Sequence, residues 1–381
     1  MSRNNKSRRR YELRDGSLNE QLEALVASAL ERYGERSDSD QLRQMLVTAL
    51  RLAKEASSGN LKLVNNALKE LRHAFRVFAP YAAVPKVAVF GSARTPSDHP
   101  DWKQAHAFAE RMVEAGWMVI TGAGDGIMGA AQGGAGRAAS FGVNIRLPFE
   151  QSANAVIEGD RKLVNFRYFF TRKVTFVKES HALALFPGGF GTHDEGFEAL
   201  TLIQTGKSSV VPVVYVDEPG GSYWRDWHEY VKTHLHARGL IGDEDLSLYR
   251  VTDDLDVAVE EILQFYRNYH SSRWLGDRLL IRLAEAPSQA QCEALADQFD
   301  DLFEGEPEVR GPLPEEKDDA PGLPRLVVRI SRRRVGRLRQ LIDRLNDLPA
   351  ERGPWKPTLP PEILPRELSA EAEEAEEDDE A

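Results

Sequence analysis

Three glycine-rich segments constrain the fold of this 381-residue chain more than any other feature. They are GSAR at 91–94, TGAGDG at 121–126 and PGGFGT at 187–192, and each directly follows a short apolar run. Glycines in such turns let backbone N–H groups approach an anion closely, and a helix that starts behind the turn adds partial positive charge. The segments therefore predict strand–turn–helix units whose turns can hold a phosphate.

Short apolar runs alternate with helical periodicity from Lys86 onward. The predicted strands are 86–90, 117–121, 142–147, 182–186 and 209–216, and the predicted helices are about 101–115, 127–138, 165–179 and 193–205. Strands that are apolar on both faces and alternate with helices indicate an α/β fold, in which a parallel sheet carries helices on both faces. Ligands of such sheets bind at the carboxyl ends of the strands, where we expect the three turns to converge.

The regions on either side of this pattern have a different character. We predict a helical extension at 1–84, a nucleotide-binding catalytic domain at 85–270, a small α+β accessory domain at 271–350 and a disordered acidic tail at 351–381. Residues 278–302 and 325–348 resemble each other at an offset of 47 residues, which indicates a duplicated β-α unit; a chance similarity is the alternative. The last fifteen residues hold nine acidic side chains, so the net charge of −11 leaves only −2 for the rest (−11 + 9).

Composition excludes several classes of protein. The chain has no run of about 18 apolar residues that would span a membrane, and its basic start lacks the apolar segment of a secretion signal, so we expect a cytoplasmic protein. The single cysteine, Cys292, excludes a disulfide framework and a multi-cysteine metal site. The near-neutral body makes nucleic acid an unfavourable partner. No GKS or GKT follows the turns, so NTP hydrolysis is not indicated.

Four side chains near the turns carry possible chemistry. Thr192 is placed to cap the helix behind PGGFGT and to donate its hydroxyl to a phosphate. Glu195 is then expected in the first helical turn, facing the crevice, and Arg172 can hold a phosphate with two hydrogen bonds. The structural alternatives are that Asp194 and Glu195 only complement the helix dipole and that Arg172 forms a surface ion pair.

Several longer motifs together resemble one family. TGAGDGIMGAA, FFTRK, PGGFGTHDE, ALTLIQTGK and VTDD look like the longer bacterial branch of the LOG (Lonely Guy) family, over about residues 87–266. The resemblance implies a Rossmann-like fold and a homodimer or larger homo-oligomer. It also implies hydrolysis of the N-glycosidic bond of nucleoside 5′-monophosphates, such as AMP or cytokinin riboside monophosphates, to free base and ribose 5-phosphate.

The same resemblance assigns roles to individual residues. Arg172 and Glu195 match the catalytic pair, with Lys173 and Asp194 in support. The phosphate and ribose contacts that it implies are Thr121, Gly122, Gly124, Gly188, Gly189, Gly191 and Thr192, to which the first turn adds Gly91 and Ser92. The chain departs from the shorter plant-type members, which carry Met-His-Glu where it has Phe169-Phe170-Thr171, and this puts a cytokinin preference in doubt.

The partners and cofactors follow from this assignment. We expect a small-molecule nucleotide substrate, with no cofactor, no metal and no membrane. The alternative function is a non-enzymatic carrier of a nucleotide or a phosphorylated cofactor, because related folds bind a phosphorylated pterin in the same crevice. A nucleic-acid module is the third possibility, and it predicts salt-dependent binding to single strands.

Overall fold

The computed structural model describes residues 11–33, 39–146, 153–316 and 320–348. These residues fall into two compact units that divide between Arg72 and His73. The first unit contains the helices α1 (Gly16–Tyr33) and α2 (Ser39–Glu55), and α3 (Ser58–Phe78) runs across the division. Within this unit the buried Arg43 of α2 pairs with Glu23 of α1. The predicted helical N-terminal extension is therefore confirmed.

The second unit is built on a seven-stranded parallel sheet with the strand order β4-β3-β2-β1-β5-β6-β7. The strands are β1 (Lys86–Phe90), β2 (Met118–Thr121), β3 (Ser140–Ile145), β4 (Leu163–Phe166), β5 (Ala182–Leu185), β6 (Val213–Val216) and β7 (Arg250–Thr252). The helices that alternate with them are α4 (Pro100–Glu114), α5 (Ile127–Ala135), α6 (Phe169–Glu179), α7 (Phe190–Gln204), α8 (Tyr223–Tyr230) and α9 (Leu255–Phe265). This arrangement confirms the Rossmann-like α/β fold class.

The central strands carry the core. Every residue of β1, β2, β5 and β6 is buried, as the apolar runs predict for strands that are covered on both faces. The end of α3 joins this core, where the ring of Phe78 stacks on Phe141 of β3 at 4.3 Å between ring centres.

The two edge strands, β4 and β7, were missed by the sequence prediction. The predicted helix at 165–179 begins only at Phe169, because residues 163–166 pair in parallel with β3. The strand at 250–252 is only three residues long and has an exposed arginine. Edge strands of three or four residues with polar positions lack the apolar run that marks a buried strand. The predicted strand at 209–216 also shortens to Val213–Val216, after Pro212.

A separate antiparallel sheet follows, with the strand order β10-β11-β9-β8. Its elements are β8 (Tyr269–Leu275), β9 (Arg278–Leu283), α10 (Gln289–Gln298), β10 (Glu308–Arg310), β11 (Arg325–Arg329) and α11 (Val335–Asn346). The predicted small α+β region is thus confirmed. Leu280 pairs directly with Val327, and these two residues are equivalent under the 47-residue offset, as expected for two ββα units related by a local two-fold axis.

A buried ion triad lies in this accessory region. Glu316 accepts hydrogen bonds from Arg282 at 2.7 Å and from Arg325 at 3.0 Å, and from the backbone N–H of Leu313 at 3.0 Å. Burial acts to raise the pKa of Glu316, but these hydrogen bonds outweigh it and lower the pKa to about 2. The triad holds the segment between β10 and β11 against the sheet.

The arginine-rich helix α11 and the residue before it use much of their charge in ion pairs with both the accessory region and the parallel-sheet region. Arg334 and Arg337 pair with Asp301, and Arg339 pairs with Asp343 and Glu261. The predicted acidic tail at 351–381 lies outside the described residues, and the four-part division of the chain stays a prediction. In the part of the chain that the structure describes, every helix is too short or too polar to cross a membrane.

Candidate functional site

The three glycine-rich turns come together at the carboxyl ends of the central strands. The strand order reverses between β1 and β5, which is where ligands bind in open α/β sheets. The backbone N–H of Ser92, after β1, donates to the carbonyl of Pro187, after β5, at 3.1 Å. The N–H of Ile127, at the end of the second turn, donates to the carbonyl of Ser92 at 3.0 Å. The expected convergence is therefore observed, with Ser92 at its centre.

The close approach of these turns leaves the least room at two of their glycines, Gly188 and Gly126. A Cβ atom at Gly188 would lie 2.2 Å from the Thr192 hydroxyl oxygen and 2.9 Å from the Ser92 nitrogen. At Gly126, where φ is +61°, a Cβ atom would lie 2.3 Å from the Ser92 carbonyl oxygen. By contrast, a Cβ atom at Gly189 or Gly191 would meet no atom within 4 Å. The turn after β5 thus combines tight internal packing with open space next to its backbone.

The helix behind PGGFGT begins earlier than predicted. α7 starts at Phe190 with Gly189 as its N-cap, so the expectation of a cap at Thr192 is wrong, and Glu195 lies in the second turn rather than the first. The extended backbone of Gly189 lets the helix start there without a capping side chain. Thr192 is buried, its N–H donates to the Gly189 carbonyl at 3.1 Å, and its hydroxyl packs against Gly188.

The TGAG turn is shaped by a buried hydroxyl and a strained alanine. The Thr121 hydroxyl is fully buried and accepts a hydrogen bond from the Ala123 N–H at 3.0 Å. Ala123 has a φ of +63°, a conformation that is costly for a residue with a Cβ atom and that often marks functional sites. Thr121 therefore supports the turn from within, Gly122 is buried beside Arg172, and Gly124 is partly exposed.

Asn154, which the sequence analysis missed, fixes the same turn from outside. Its side-chain amide donates to the Gly124 carbonyl at 2.9 Å and to the Gln132 side chain at 2.6 Å, and its N–H donates to the Ala123 carbonyl at 2.9 Å. Asn154 lies far from the glycine motifs in sequence. The local pattern around it contains no signal that would have identified it.

Arg172 lies on α6 beside the TGAG turn. Its Nε atom donates to the Val143 carbonyl of β3 at 2.9 Å, and its guanidinium lies 5.2 Å from the centre of the Phe176 ring. A Cβ atom at Gly122 would lie 2.6 Å from its Nη2 atom. Arg172 is therefore anchored by the protein rather than extended into solvent, and the glycine leaves room for its guanidinium.

Glu195 is close to a single ammonium group that three carboxylates share. The Lys173 Nζ atom lies 3.6 Å from Glu195, 3.0 Å from Asp194 and 2.7 Å from Glu198, and the Glu195 side chain is only 11% exposed. Burial raises the pKa of Glu195, with further increases from Glu198 and Asp194, while the charges of Lys173 and Arg172 act in the opposite direction.

Lys173 is held firmly in its charged form. Burial acts to lower its pKa, but hydrogen bonds to Glu198 and Asp194 and the charge of Glu195 outweigh burial, so the pKa of Lys173 is raised. The predicted supporting residues Lys173 and Asp194 are thus in direct contact with each other, and Lys173 is close to the predicted catalytic carboxylate.

Tyr223 of α8 is a second residue that the sequence analysis missed. Its hydroxyl donates to the Gly188 carbonyl, which leaves its lone pairs to accept from the His193 Nε2 atom at 2.7 Å. This pairing places the proton of a neutral His193 ring on Nε2. Burial also lowers the pKa of His193 and so favours the neutral ring. Together the two side chains brace the turn after β5.

One group of residues outside the crevice has the geometry to hold a metal ion. Within the described ranges, ligand atoms of His99, Asp101 and Glu218 lie close together, with His99 Nδ1 at 3.5 Å from Asp101 and 3.9 Å from Glu218. Residues of this group are not among the predicted site residues. The His99 Nδ1 atom also accepts from the Asp101 N–H at 3.2 Å, as an N-cap of α4.

Comparison with known proteins supports the resemblance for the centre of the chain. Residues 128–262, about a third of the chain, match the family model described as "possible lysine decarboxylase", which confirms the resemblance to the LOG family over that segment. A search of curated proteins found no match.

Solved structures with similarity to part of the chain include two proteins that are named for a molybdenum cofactor. The molybdenum cofactor carrier protein of Chlamydomonas reinhardtii is 20% identical, and the match covers 47% of this chain and 98% of that protein with a TM-score of 0.33. The molybdenum cofactor binding protein of Rippkaea orientalis is also 20% identical, with 46% and 94% covered and a TM-score of 0.33.

Proposed function

We propose that this chain, whose residues 128–262 match the family named above, is a nucleoside 5′-monophosphate phosphoribohydrolase that acts on purine nucleotides such as AMP. The observation that carries the proposal is the position of Glu195. It is a nearly buried carboxylate with a raised pKa, and it follows the PGGFGT turn, which contacts the GSAR turn through the Ser92 N–H and the Pro187 carbonyl. A site that only shields a ligand has no need of such a carboxylate.

The turns supply positioning. Backbone N–H groups next to Gly189 and Gly191 border open space at the start of α7, where the helix end favours a phosphate. The Ser92 and Gly188 region joins this turn to the TGAG turn, so one nucleotide can contact both. Arg172 is anchored beside Gly122 and provides a fixed positive charge for the phosphate or the ribose hydroxyls. Holding the ribose in place beside the carboxylate lowers the entropic part of the barrier.

Glu195 supplies the chemistry. Departure of the base from C1′ leaves a sugar with cationic character, which a nearby carboxylate stabilises. The same carboxylate accepts a proton from the water molecule whose oxygen attacks C1′ as the bond to the base nitrogen breaks. The base leaves with the bonding electron pair and takes up a proton, and the products are free base and ribose 5-phosphate. Lys173 opposes the effect of burial and helps to keep Glu195 ionised.

A lysine decarboxylase activity fits these residues poorly. A lysine that forms a Schiff base needs a lowered pKa, so that its amine is neutral and nucleophilic. Lys173, the lysine of the Arg-Lys motif, instead has a raised pKa and contacts three carboxylates. Its environment suits a permanently charged group that lowers the pKa of Glu195.

The experiment that tests the proposal is direct. Purified protein is incubated with AMP, GMP, CMP, UMP and isopentenyladenosine monophosphate, and free bases and ribose 5-phosphate are resolved by chromatography. We expect release of base from AMP in equal amount to ribose 5-phosphate, and slower release from the pyrimidine nucleotides. If AMP binds and no base is released, the carrier function replaces this proposal. The cytoplasmic location and the homo-oligomer stay predictions, and size-exclusion chromatography with light scattering tests the latter.

A further inference from the structure

Asn154 connects the TGAG turn to the helix behind it and to the central sheet. Its Nδ2 atom donates to the Gly124 carbonyl at 2.9 Å and to the Gln132 Oε1 atom of α5 at 2.6 Å. Gln132 in turn donates to the Phe141 carbonyl of β3 at 3.1 Å. Asn154 and Gln132 are 7% and 0% exposed, so water does not compete for these hydrogen bonds. The turn is therefore tied to the sheet through two buried amide side chains.

The same residue determines the direction of two peptide groups in the turn. The backbone N–H of Asn154 donates to the Ala123 carbonyl at 2.9 Å, so the carbonyls of Ala123 and Gly124 both point toward Asn154. The peptide bonds of the described residues are all trans, and in a trans peptide the C=O and N–H groups point in opposite directions. The N–H groups of Gly124 and Asp125 therefore point away from Asn154.

These two N–H groups are available to a ligand. Neither donates a hydrogen bond to another described residue, and Gly124 is partly exposed while Asp125 is exposed. The turn also adjoins the GSAR turn, since a Cβ atom at Gly126 would lie 2.3 Å from the Ser92 carbonyl oxygen. Successive N–H groups in a tight turn form a concavity that binds electron-rich oxygens. The TGAG turn thus presents two donors on the side opposite Asn154.

The backbone conformation that directs these donors is a strained one. Ala123 has a φ of +63°, and a residue with a Cβ atom keeps this conformation only where its surroundings hold it. The Thr121 hydroxyl accepts from the Ala123 N–H, and Asn154 holds the carbonyls of Ala123 and Gly124. Loss of the Asn154 Nδ2 donor releases the Gly124 carbonyl, and the peptide group after Gly124 can then rotate.

We propose that Asn154 is a positioning residue for the reaction proposed above. It orients the N–H groups of Gly124 and Asp125 so that they donate to an oxygen of the ribose 5-phosphate part of the substrate. The inference rests on the proposed function, which places one nucleotide against both the TGAG turn and the PGGFGT turn. Asn154 acts through the turn and makes no contact with the reacting atoms.

Asn154→Asp tests this role with little change of shape. The variant keeps an oxygen that accepts from the Val156 N–H, a contact of 3.2 Å, and replaces the Nδ2 donor by an oxygen that repels the Gly124 carbonyl. We expect KM for AMP to rise at least tenfold while kcat falls less than threefold. The Kd for AMP, measured by calorimetry with Glu195→Gln present to prevent turnover, should rise equally. A variant that only folds less well would lose kcat with KM and Kd unchanged.

Asn268 of the accessory region provides the matched control. It is 6% exposed, its Nδ2 atom donates to the Leu345 carbonyl at 3.2 Å, and its Oδ1 atom accepts from the Glu285 N–H at 2.8 Å. Asn268→Asp therefore loses the same kind of buried contact and should lower the melting temperature about as much as Asn154→Asp. Its Kd for AMP should change less than twofold. An equal rise of Kd in both variants would contradict the positioning role.

Fragments of the substrate show which part the turn holds. Asn154→Asp should weaken the binding of ribose 5-phosphate as much as that of AMP, whereas the affinity for adenine should change less than twofold. A similar loss for inorganic phosphate assigns the contact to the phosphate, and an unchanged affinity for inorganic phosphate assigns it to the ribose. A loss of affinity for adenine alone would refute the proposal.

Ala123→Gly supplies a second background in case Asn154→Asp folds poorly. Glycine adopts a φ of +63° without strain, so the turn is less dependent on its supports. The Kd for AMP in the double variant should still exceed that of Ala123→Gly at least threefold. An unchanged Kd in both backgrounds, or a protein that does not bind AMP, overturns the proposal. If AMP binds and no base is released, the proposed function fails, and the Kd comparisons still decide the role of Asn154.

Discussion

Glu195 in the second turn of α7 and Glu316 beside the accessory sheet are both nearly excluded from solvent, with side chains 11% and 1% exposed. Their carboxyl pKa values nevertheless move in opposite directions. Burial raises the pKa of Glu195, whereas the pKa of Glu316 falls to about 2 in spite of burial. The two residues therefore allow a comparison between the proposed catalytic carboxylate and a carboxylate in a structural ion triad.

The difference comes from their partners. Glu316 accepts hydrogen bonds from two arginines and a backbone N–H, so its negative charge is fully paired. Glu195 shares one lysine with Asp194 and Glu198, whose negative charges oppose its own. Removal of a fully paired buried carboxylate leaves its partners' charges uncompensated and is strongly destabilising, and such a carboxylate has little capacity left for reaction. An incompletely paired one retains lone pairs for water and substrate, at some cost to stability.

The largest expected effect is on chemistry at Glu195. Glu195→Gln should reduce base release from AMP by about a thousandfold, because loss of a general base costs two to four orders of magnitude. Binding of AMP should change less than threefold, as measured by calorimetry. Glu316→Gln is the matched control. The folded molecules of this variant should release base from AMP at the wild-type rate. Survival of activity in Glu195→Gln would show that the catalytic assignment is wrong.

The second effect is on stability at Glu316. Glu316→Gln leaves two buried arginines without their carboxylate and should lower the free energy of unfolding by about 3–5 kcal/mol, as measured by urea denaturation at pH 7. Glu195→Gln should leave this free energy unchanged or raise it, because ionisation of a carboxyl with a raised pKa opposes folding at that pH.

The pH dependence sharpens this second test. The folded pKa of Glu316 is lower than its ordinary value of 4.5, so its contribution is complete above about pH 4.5 and is lost as the pH falls toward 2. The stability difference between wild type and Glu316→Gln should shrink over that window. A difference that stays constant with pH would mean that the ion triad does not carry the effect.

The third effect concerns the crevice as a binding site. Arg172→Ala removes the charge beside Gly122 and should lower kcat/KM for AMP by more than tenfold, measured by base release. Arg225→Ala, an exposed arginine that pairs with Asp253, should change it less than twofold. If kcat/KM falls less than twofold in Arg172→Ala, Arg172 does not contribute to substrate binding and only connects α6 to β3.

The smallest effect tests how Glu195 is tuned. Lys173→Met removes the larger of the two positive charges that lower the pKa of Glu195, so that pKa should rise further. Because the carboxylate is the active form, the acid limb of the kcat/KM profile should move to higher pH, with the greatest loss of activity at acidic pH. Lys178→Met is the control on the same helix, since Lys178 pairs with Glu179. If the acid limb of the kcat/KM profile stays at the same pH in Lys173→Met, Lys173 does not set the pKa of the catalytic group.

Much of the central fold was predictable from the sequence. The runs at 86–90, 117–121 and 182–186 are buried strands, and the glycine turns after them meet in one crevice as expected. The short edge strands β4 and β7 were missed, because an exposed edge does not impose an apolar run. The start of α7 was also misplaced, since a threonine resembles a cap and the glycine that serves as the cap gives no side-chain signal.

What the sequence by itself determined is the set of local requirements. At Gly126 and Gly188, neighbouring parts of the chain leave no room for a Cβ atom. This requirement is visible in the sequence as glycines in the segments that follow the strands. Only the tertiary structure decided which charges meet. It placed Lys173 of α6 among three acids of α7, Tyr223 on the Gly188 carbonyl and Glu316 between two arginines. Backbone conformation depends on neighbours along the chain, whereas the protonation of a buried carboxylate depends on neighbours in space.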